Sequence, residues 1–211
     1  MMIKINKEII SDLLYCESKP ILEIKIEYPQ IEGHVTAKAE RAFNSYYENE
    51  AKALNLRARN EIYRQALRDC KYARKNAYPF NIYSFIRTFN ETFLSCKYAS
   101  LYTDLYLYTG GAHGNTERKG YTWCLTNGRR MTLSEFFPKG MDYRKEILRQ
   151  VKEQIAADQE GLYFENADKL AEQNFNPSNF FLTPDGIAIF YPLYTIAPYY
   201  VGIPVFIIKD C

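Results

Sequence analysis

The sequence predicts an α+β fold, with a mainly antiparallel sheet, one long N-terminal helix and a second amphipathic helix. Three observations lead there. An alternating run at Pro20–Ile31 is followed by a helical period that no glycine or proline interrupts between His34 and Pro79. After Pro79 the alternation returns in several short runs, and a second 3.6-residue period follows around residues 141–159.

The first strand is "PILEIKIEYPQI". Leu22, Ile24, Ile26 and Tyr28 share one face, while Ile21, Glu23, Lys25 and Glu27 share the other, so the pattern is that of a strand covered on one side and ended by Pro29. Val35, Ala39, Ala42/Phe43, Tyr46, Ala51, Leu54, Ala58, Ile62 and Ala66 then recur at spacings of three to five. This predicts one helix from about Thr36 to about Arg74, with a break near Asn55 or Asn60. Its second half carries Arg57, Arg59, Arg64, Arg68, Lys71, Arg74 and Lys75 against Glu61 and Asp69. A polyanion-binding stripe and a solvated helix face both fit. The solvated face is favoured, because no base-stacking or groove motif accompanies the charges.

Phe89, Thr92, Leu94, Cys96 and Tyr98 alternate next, and then Leu101, Leu105 and Leu107 oppose Tyr102, Tyr106 and Tyr108. "GYTWCLTNGRRMTLSEFF" predicts two short strands around a two-residue Asn127-Gly128 turn. The second helix follows from Tyr143, Ile147, Leu148, Val151 and Ile155. A hairpin turned at Asp185-Gly186 and a last strand, Val205 to Ile208, complete the chain.

Composition limits the function classes. A chain of 211 residues buries roughly 70% of its unfolded surface as one large domain or two small ones. With 27 basic and 25 acidic residues, the net charge of +2 gives no signature of a nucleic-acid partner. No window approaches the ~18 apolar residues of a membrane span. The cytoplasm is expected if Met1 is the true start, and the cell exterior if an anchor or signal segment was removed. Tyrosine is the compositional outlier, 19 residues against a single Trp, and suits half-buried sheet faces or wet recognition faces. Five cysteines without C-x-x-C spacing define neither a zinc site nor a closed disulfide framework, and most of them read as reduced, half-buried small apolar residues. No cofactor is expected. Metal binding is disfavoured, since His34 and His113 are the only histidines.

The stretch "LYTGGAHGN", Leu107–Asn115, is the one local oddity. A phosphate loop would lead into a helix and carry Lys followed by Ser or Thr, whereas this one leads into another strand. A nucleophile could pair His113 with Cys124 or Ser134, yet no orienting acid or oxyanion donor stands at a recognisable spacing. The structural reading is a strand crossing or bulge, where consecutive glycines permit positive φ or close backbone approach.

"YTGGAHGN", "GYTWCLTNGRRMTLSEFF" and "TPDGIAIFYPLYTIAPYYVGIPVFII" together resemble the extracellular domain shared by the lysozyme-sensing anti-sigma factor RsiV and the N-terminal part of the peptidoglycan deacetylase PdaC. The motifs extend over most of Leu107 to Lys209. The resemblance divides the chain into residues 1–106, with the strand, long helix and Tyr-rich strands, and an RsiV-like C-terminal domain at 107–211, packed as one unit. The cytoplasmic segment and membrane helix through which RsiV-like regulators act are not in this chain, nor is the deacetylases' catalytic domain, so neither activity is expected of it. What the resemblance implies is a non-enzymatic binding or sensor module, its partner a wall-associated protein or glycan. Tyr108, Gly110, Gly111, His113 and Asn115 would form the contact surface. Lysozyme, a cationic protein, would need a local acidic patch such as Asp158, Glu160, Glu165 and Asp168. The alternative is a small Cys/His-dependent hydrolase.

Overall fold

The computed structural model describes residues 2–209 and contains nine strands in two sheets. β1 (Lys4–Cys16), β2 (Lys19–Glu32), β3 (Tyr83–Leu94), β4 (Tyr98–Tyr108), β5 (Asn115–Cys124) and β6 (Arg129–Arg130) follow one another in chain order in the first. β7 (Phe180–Thr183), β8 (Gly186–Phe190) and β9 (Val205–Ile208) form the second. The chain divides into two compact units. One is Met1–Phe89 with Thr103–Thr116; the other is Asn90–Tyr102 with Glu117–Cys211.

In the first unit, β1 and β2 make a long antiparallel hairpin with a register shift between Leu14 and Tyr15. β1 was not legible as a strand. Ile9/Ile10 and Leu13/Leu14 come as adjacent pairs four residues apart, which break a period of two and imitate a helical one. β2 carries the core: Ile21, Leu22, Ile24, Ile26 and Ile31 are all buried. Two details of the expected pattern change. Ile21 joins the core despite sharing a face with Glu23, and Glu27 is buried, bonded by Lys7 at 2.8 Å and Lys25 at 3.1 Å. Burial alone would raise the Glu27 carboxyl, but the two lysines outweigh it and hold it below the usual range. Nor does Pro29 end the strand. β3 runs parallel to β2 only along Leu22–Ile26, so at Pro29 the strand is paired through β1, where a missing N–H is tolerated.

The helix runs as α1 (Ala37–Arg57), a π-helical turn (Ala58–Ile62) and α2 (Tyr63–Lys75). Thr36 caps it, its hydroxyl accepting from the Ala39 N–H. The buried face is Ala39, Phe43, Tyr47, Ala51, Ala58, Ile62, Ala66 and Cys70. Steps of four residues over-rotate a 3.6-residue helix, and the wider π turn absorbs part of that drift. The expected break near Asn55 or Asn60 is this turn. Arg87, 1% exposed, reaches from β3 to the Glu50 carboxylate at 2.5 Å and lies against the Tyr47 ring.

The second unit builds its core from α3 (Tyr143–Ala156), α4 (Ala167–Gln173) and β7–β9, with Ile147, Val151, Ala171, Ile189, Phe206 and Ile208 at its centre. The Ser100 hydroxyl donates to the Tyr121 carbonyl at 3.1 Å, contacts Thr122 Oγ1 at 2.8 Å and accepts from the Leu182 N–H at 2.8 Å. Gly120 faces β7 so closely that a Cβ there would lie 1.9 Å from the Phe180 carbonyl oxygen. The last strand forms where expected, and so does the hairpin before it, although Gly186 already pairs with Thr183 and the turn is Pro184-Asp185, one residue earlier than expected. The Asn127-Gly128 turn is longer than expected. β5 ends at Cys124 and β6 begins at Arg129, leaving a four-residue connection with Gly128 at φ 73°.

Candidate functional site

The Tyr108–Asn115 loop joins β4 to β5 within the first unit. Its geometry follows from three tyrosines and three glycines. Gly110 and Gly111 adopt φ of 92° and 102°, values that an L side chain resists. Tyr108 closes the turn, its hydroxyl donating to the Gly111 carbonyl at 3.1 Å. At the base, Gly114 is buried flat on the Tyr106 ring; a Cβ there would come within 2.4 Å of it. Tyr83 lies beside Gly110, its Cε1 at 4.0 Å from where a Cβ would stand. Its hydroxyl donates to Asp69 at 2.5 Å, and burial followed by this bond pushes the phenol well above its ordinary value.

The result is a loop with a fixed base and an open tip. Gly111, Ala112, His113 and Asn115 are exposed, and His113 Nδ1 lies 2.9 Å from the Gly114 carbonyl oxygen. The five residues expected to form a contact surface therefore belong to one loop. Tyr106 and Tyr83, which shape it, escaped the sequence reading. Tyr106 had a signal, since it shares the Tyr108 face of β4 two residues earlier; Tyr83 comes from a strand distant in sequence.

The candidates for a nucleophilic site fall elsewhere. Cys124 and Ser134 belong to the second unit, His113 to the first. Burial raises the Cys124 thiol, but bonds from Thr126 and Asn127 and the Arg129 charge outweigh this and leave it below the usual thiol value. Its sulfur stands 3.1 Å from Thr126 Oγ1. Ser134 lines a cleft of about 460 Å³ with Arg130, Thr132, Tyr143, Ser178 and Phe180. Beside it, Arg129 forks onto Glu135 at 2.7 and 2.9 Å; together with the Thr132 N–H this lowers the Glu135 carboxyl to about 2. Of the acidic residues considered for a cationic partner, Asp158 accepts the N–H groups of Glu160 and Leu162 and so orders its own turn, while Glu160, Glu165 and Asp168 are exposed. Cysteine burial is less uniform than expected: Cys16 is half-buried, Cys70 and Cys124 buried and Cys96 exposed, while Cys211 lies outside the described residues. Among the described residues no group of three or more His, Cys, Asp or Glu could hold a metal ion, and no helix is long and apolar enough to cross a membrane.

Comparison with known proteins divides the chain in sequence. Residues 15–116 match the family described as deacetylase PdaC, and residues 134–210 match DUF3298, a protein family of unknown function. The chain is thus similar to the first family over its N-terminal part and to the second over its C-terminal part. This agrees with the RsiV-like resemblance read from the motifs, and it places the Tyr108–Asn115 loop at the end of the PdaC-type match. Among solved structures, a DUF3298 family member from Bacteroides fragilis superposes with a TM-score of 0.69 at 17% identity, over 98% of this chain and 90% of that one. A DUF3298 family protein from Pseudomonas aeruginosa gives 0.61 at 16% identity, over 99% and 91%. At these identities the likeness is one of fold. No curated protein matches.

Proposed function

We propose that the chain is a non-enzymatic recognition module of a bacterial cell, whose partner is a wall-associated protein or glycan engaged by Tyr108, Gly110, Gly111, His113 and Asn115. The supporting observation is the held loop. The Tyr108 hydroxyl and the Tyr106 ring fix the backbone while Gly111–His113 stands open. A loop already in shape loses little conformational freedom on binding, and its glycines let a partner approach the main chain. Tyrosine adds contact area at small entropic cost. Similarity to a family of unknown function fits this reading without fixing the ligand.

Calorimetric titration with soluble peptidoglycan fragments and, separately, with lysozyme, at low and high salt, tests it. Binding to one of them that His113→Ala weakens at least tenfold, with an unchanged melting midpoint, supports the loop as the contact. No heat with either at roughly 100 μM, where about 5 kcal/mol of affinity is already visible, overturns it. A second reading, a thiol-dependent hydrolase, rests on the lowered Cys124 thiol. It requires a turnover that Cys124→Ala abolishes in a folded protein.

A further inference from the structure

The turn between β1 and β2 is fastened to α2 at two points. The Tyr63 hydroxyl donates to the Tyr15 carbonyl at 2.7 Å, and Arg74 Nη1 donates to the Glu17 carboxylate at 2.6 Å. Between Tyr15 and Glu17 stands Cys16. Between Tyr63 and Arg74, seven residues after the first and four before the second, stands Cys70, so all three helical residues share one face. The two bonds therefore bracket a pair of cysteines. Cys70 is 5% exposed, within a cluster of Ile21, Ile62, Ala66 and Tyr83 against which Cys16 also packs. The two cysteines thus belong to one packed cluster, and burial, followed by the neighbouring Cys16, holds the Cys70 thiol above its usual value.

We propose that Cys16 and Cys70 are a disulfide-forming pair, an oxidation site that fastens the β1–β2 hairpin to the long helix. The oxidant required is a disulfide, either a small molecule or an exchange protein. The half-buried Cys16 thiolate attacks one sulfur of it, forming a mixed disulfide and releasing one thiolate. Cys70 then gives its proton to solvent and attacks the Cys16 sulfur, breaking the mixed disulfide and releasing the second thiolate. Two protein thiols and one external disulfide become one protein disulfide and two external thiols, so two electrons pass to the oxidant. Each attack needs a thiolate, so formation of the bond accelerates with pH. The bond would secure β1, which lies at the edge of its sheet and exposes Ile9, Leu13 and Tyr15. It would also close a long loop, constraining the unfolded chain.

The test incubates the full chain with oxidised glutathione at pH 7 and 9 and maps it by non-reducing peptide mass spectrometry, with thermal melts in parallel. A Cys16–Cys70 peptide is expected, forming faster at pH 9, with a rise in melting midpoint of roughly 5–10 °C that a reductant reverses. Cys16→Ser and Cys70→Ser should each abolish both. Should the buried Cys70→Ser variant fail to fold, the half-buried Cys16→Ser variant still decides the matter. A glutathione adduct that stays on Cys16 at pH 9, a bridge from Cys16 to any other cysteine, or a bridge that lowers the melting midpoint overturns the proposal.

Discussion

Replacing Gly120 with alanine should be among the most damaging single-methyl additions this chain can receive. The new Cβ would stand 1.9 Å from the Phe180 carbonyl oxygen and 2.8 Å from its carbon, so β7 must retreat by about 1 Å before the contact even reaches 3 Å. The obstacle is main chain, which cannot rotate aside as a side-chain tip can. A retreat of that size also stretches the bond from the Leu182 N–H to the Ser100 hydroxyl, now 2.8 Å, beyond hydrogen-bonding range. Losing a buried bond costs about 1–3 kcal/mol, and the strained packing around Phe180 and Leu182 adds about 1–3 kcal/mol. The expected loss is therefore about 3 kcal/mol. The single Trp, Trp123, is buried in β5 of the same unit, so its fluorescence during urea unfolding reports the change directly. Ser100→Ala removes the same bond together with those to the Tyr121 carbonyl and the Thr122 hydroxyl, and the double variant should lose less than the sum, because Gly120→Ala has already broken the bond to Leu182. An unchanged midpoint for Gly120→Ala, or strict additivity with Ser100→Ala, would refute the reasoning.

Other perturbations separate causes of a different kind. Gly110→Val and Gly111→Val meet no close atom but must hold a β-branched residue at positive φ, so each should cost about 1–3 kcal/mol in urea melts; two unchanged midpoints would exclude backbone geometry as their role. Arg87→Ala removes the ion pair to the partly buried Glu50 and opens a cavity, which should cost about 3 kcal/mol, whereas Arg87→Met keeps the volume and should cost less than Arg87→Ala by thermal melt. The Glu135 carboxyl lies at about 2 in the folded chain against 4.5 ordinarily, so its contribution is complete above 4.5 and lost as pH falls from there towards 2. Glu135→Gln should flatten the stability profile across that interval, and an identical acid slope in the variant would contradict the assignment.

Periodicity carried the long helix, α3 and the last hairpin, because each buries one stripe or one face and repeats it for long enough to be counted. It failed where burial is two-sided or partners are distant. Ile21 and Glu27 occupy the supposedly polar face of β2, yet one is covered by the core and the other is held by Lys7 and Lys25. Lys7 comes from β1, a strand that its paired apolar residues concealed. The loop was legible in its glycines and not in its support. Glycine after glycine announces unusual backbone, but the ring under Gly114 and the hydroxyl that closes on Gly111 are properties of the folded tyrosines.

The basic half of the long helix shows how a charge pattern acquires meaning only from what faces it. Seven cations against two acids read as a solvated helix face, with a polyanion-binding stripe as the alternative. Three of those cations are already paired: Arg57 with Glu61 along the helix, Arg59 with Asp12 of β1, and Arg74 with Glu17 of the turn that follows it. Two of these three pairs join the helix to the edge hairpin, so two of the stripe's seven charges are directed to its own unit. These exposed pairs contribute little individually to stability. Their effect is on orientation. With Tyr63 they set the tip of the hairpin against one face of α2, and that same placement brings Cys16 beside Cys70. A stripe evolved for a polyanion would gain from cations left facing solvent, whereas pairing them with β1 lowers the field that would steer such a ligand. The helix is thus better read as the support on which β1 and β2 are fixed.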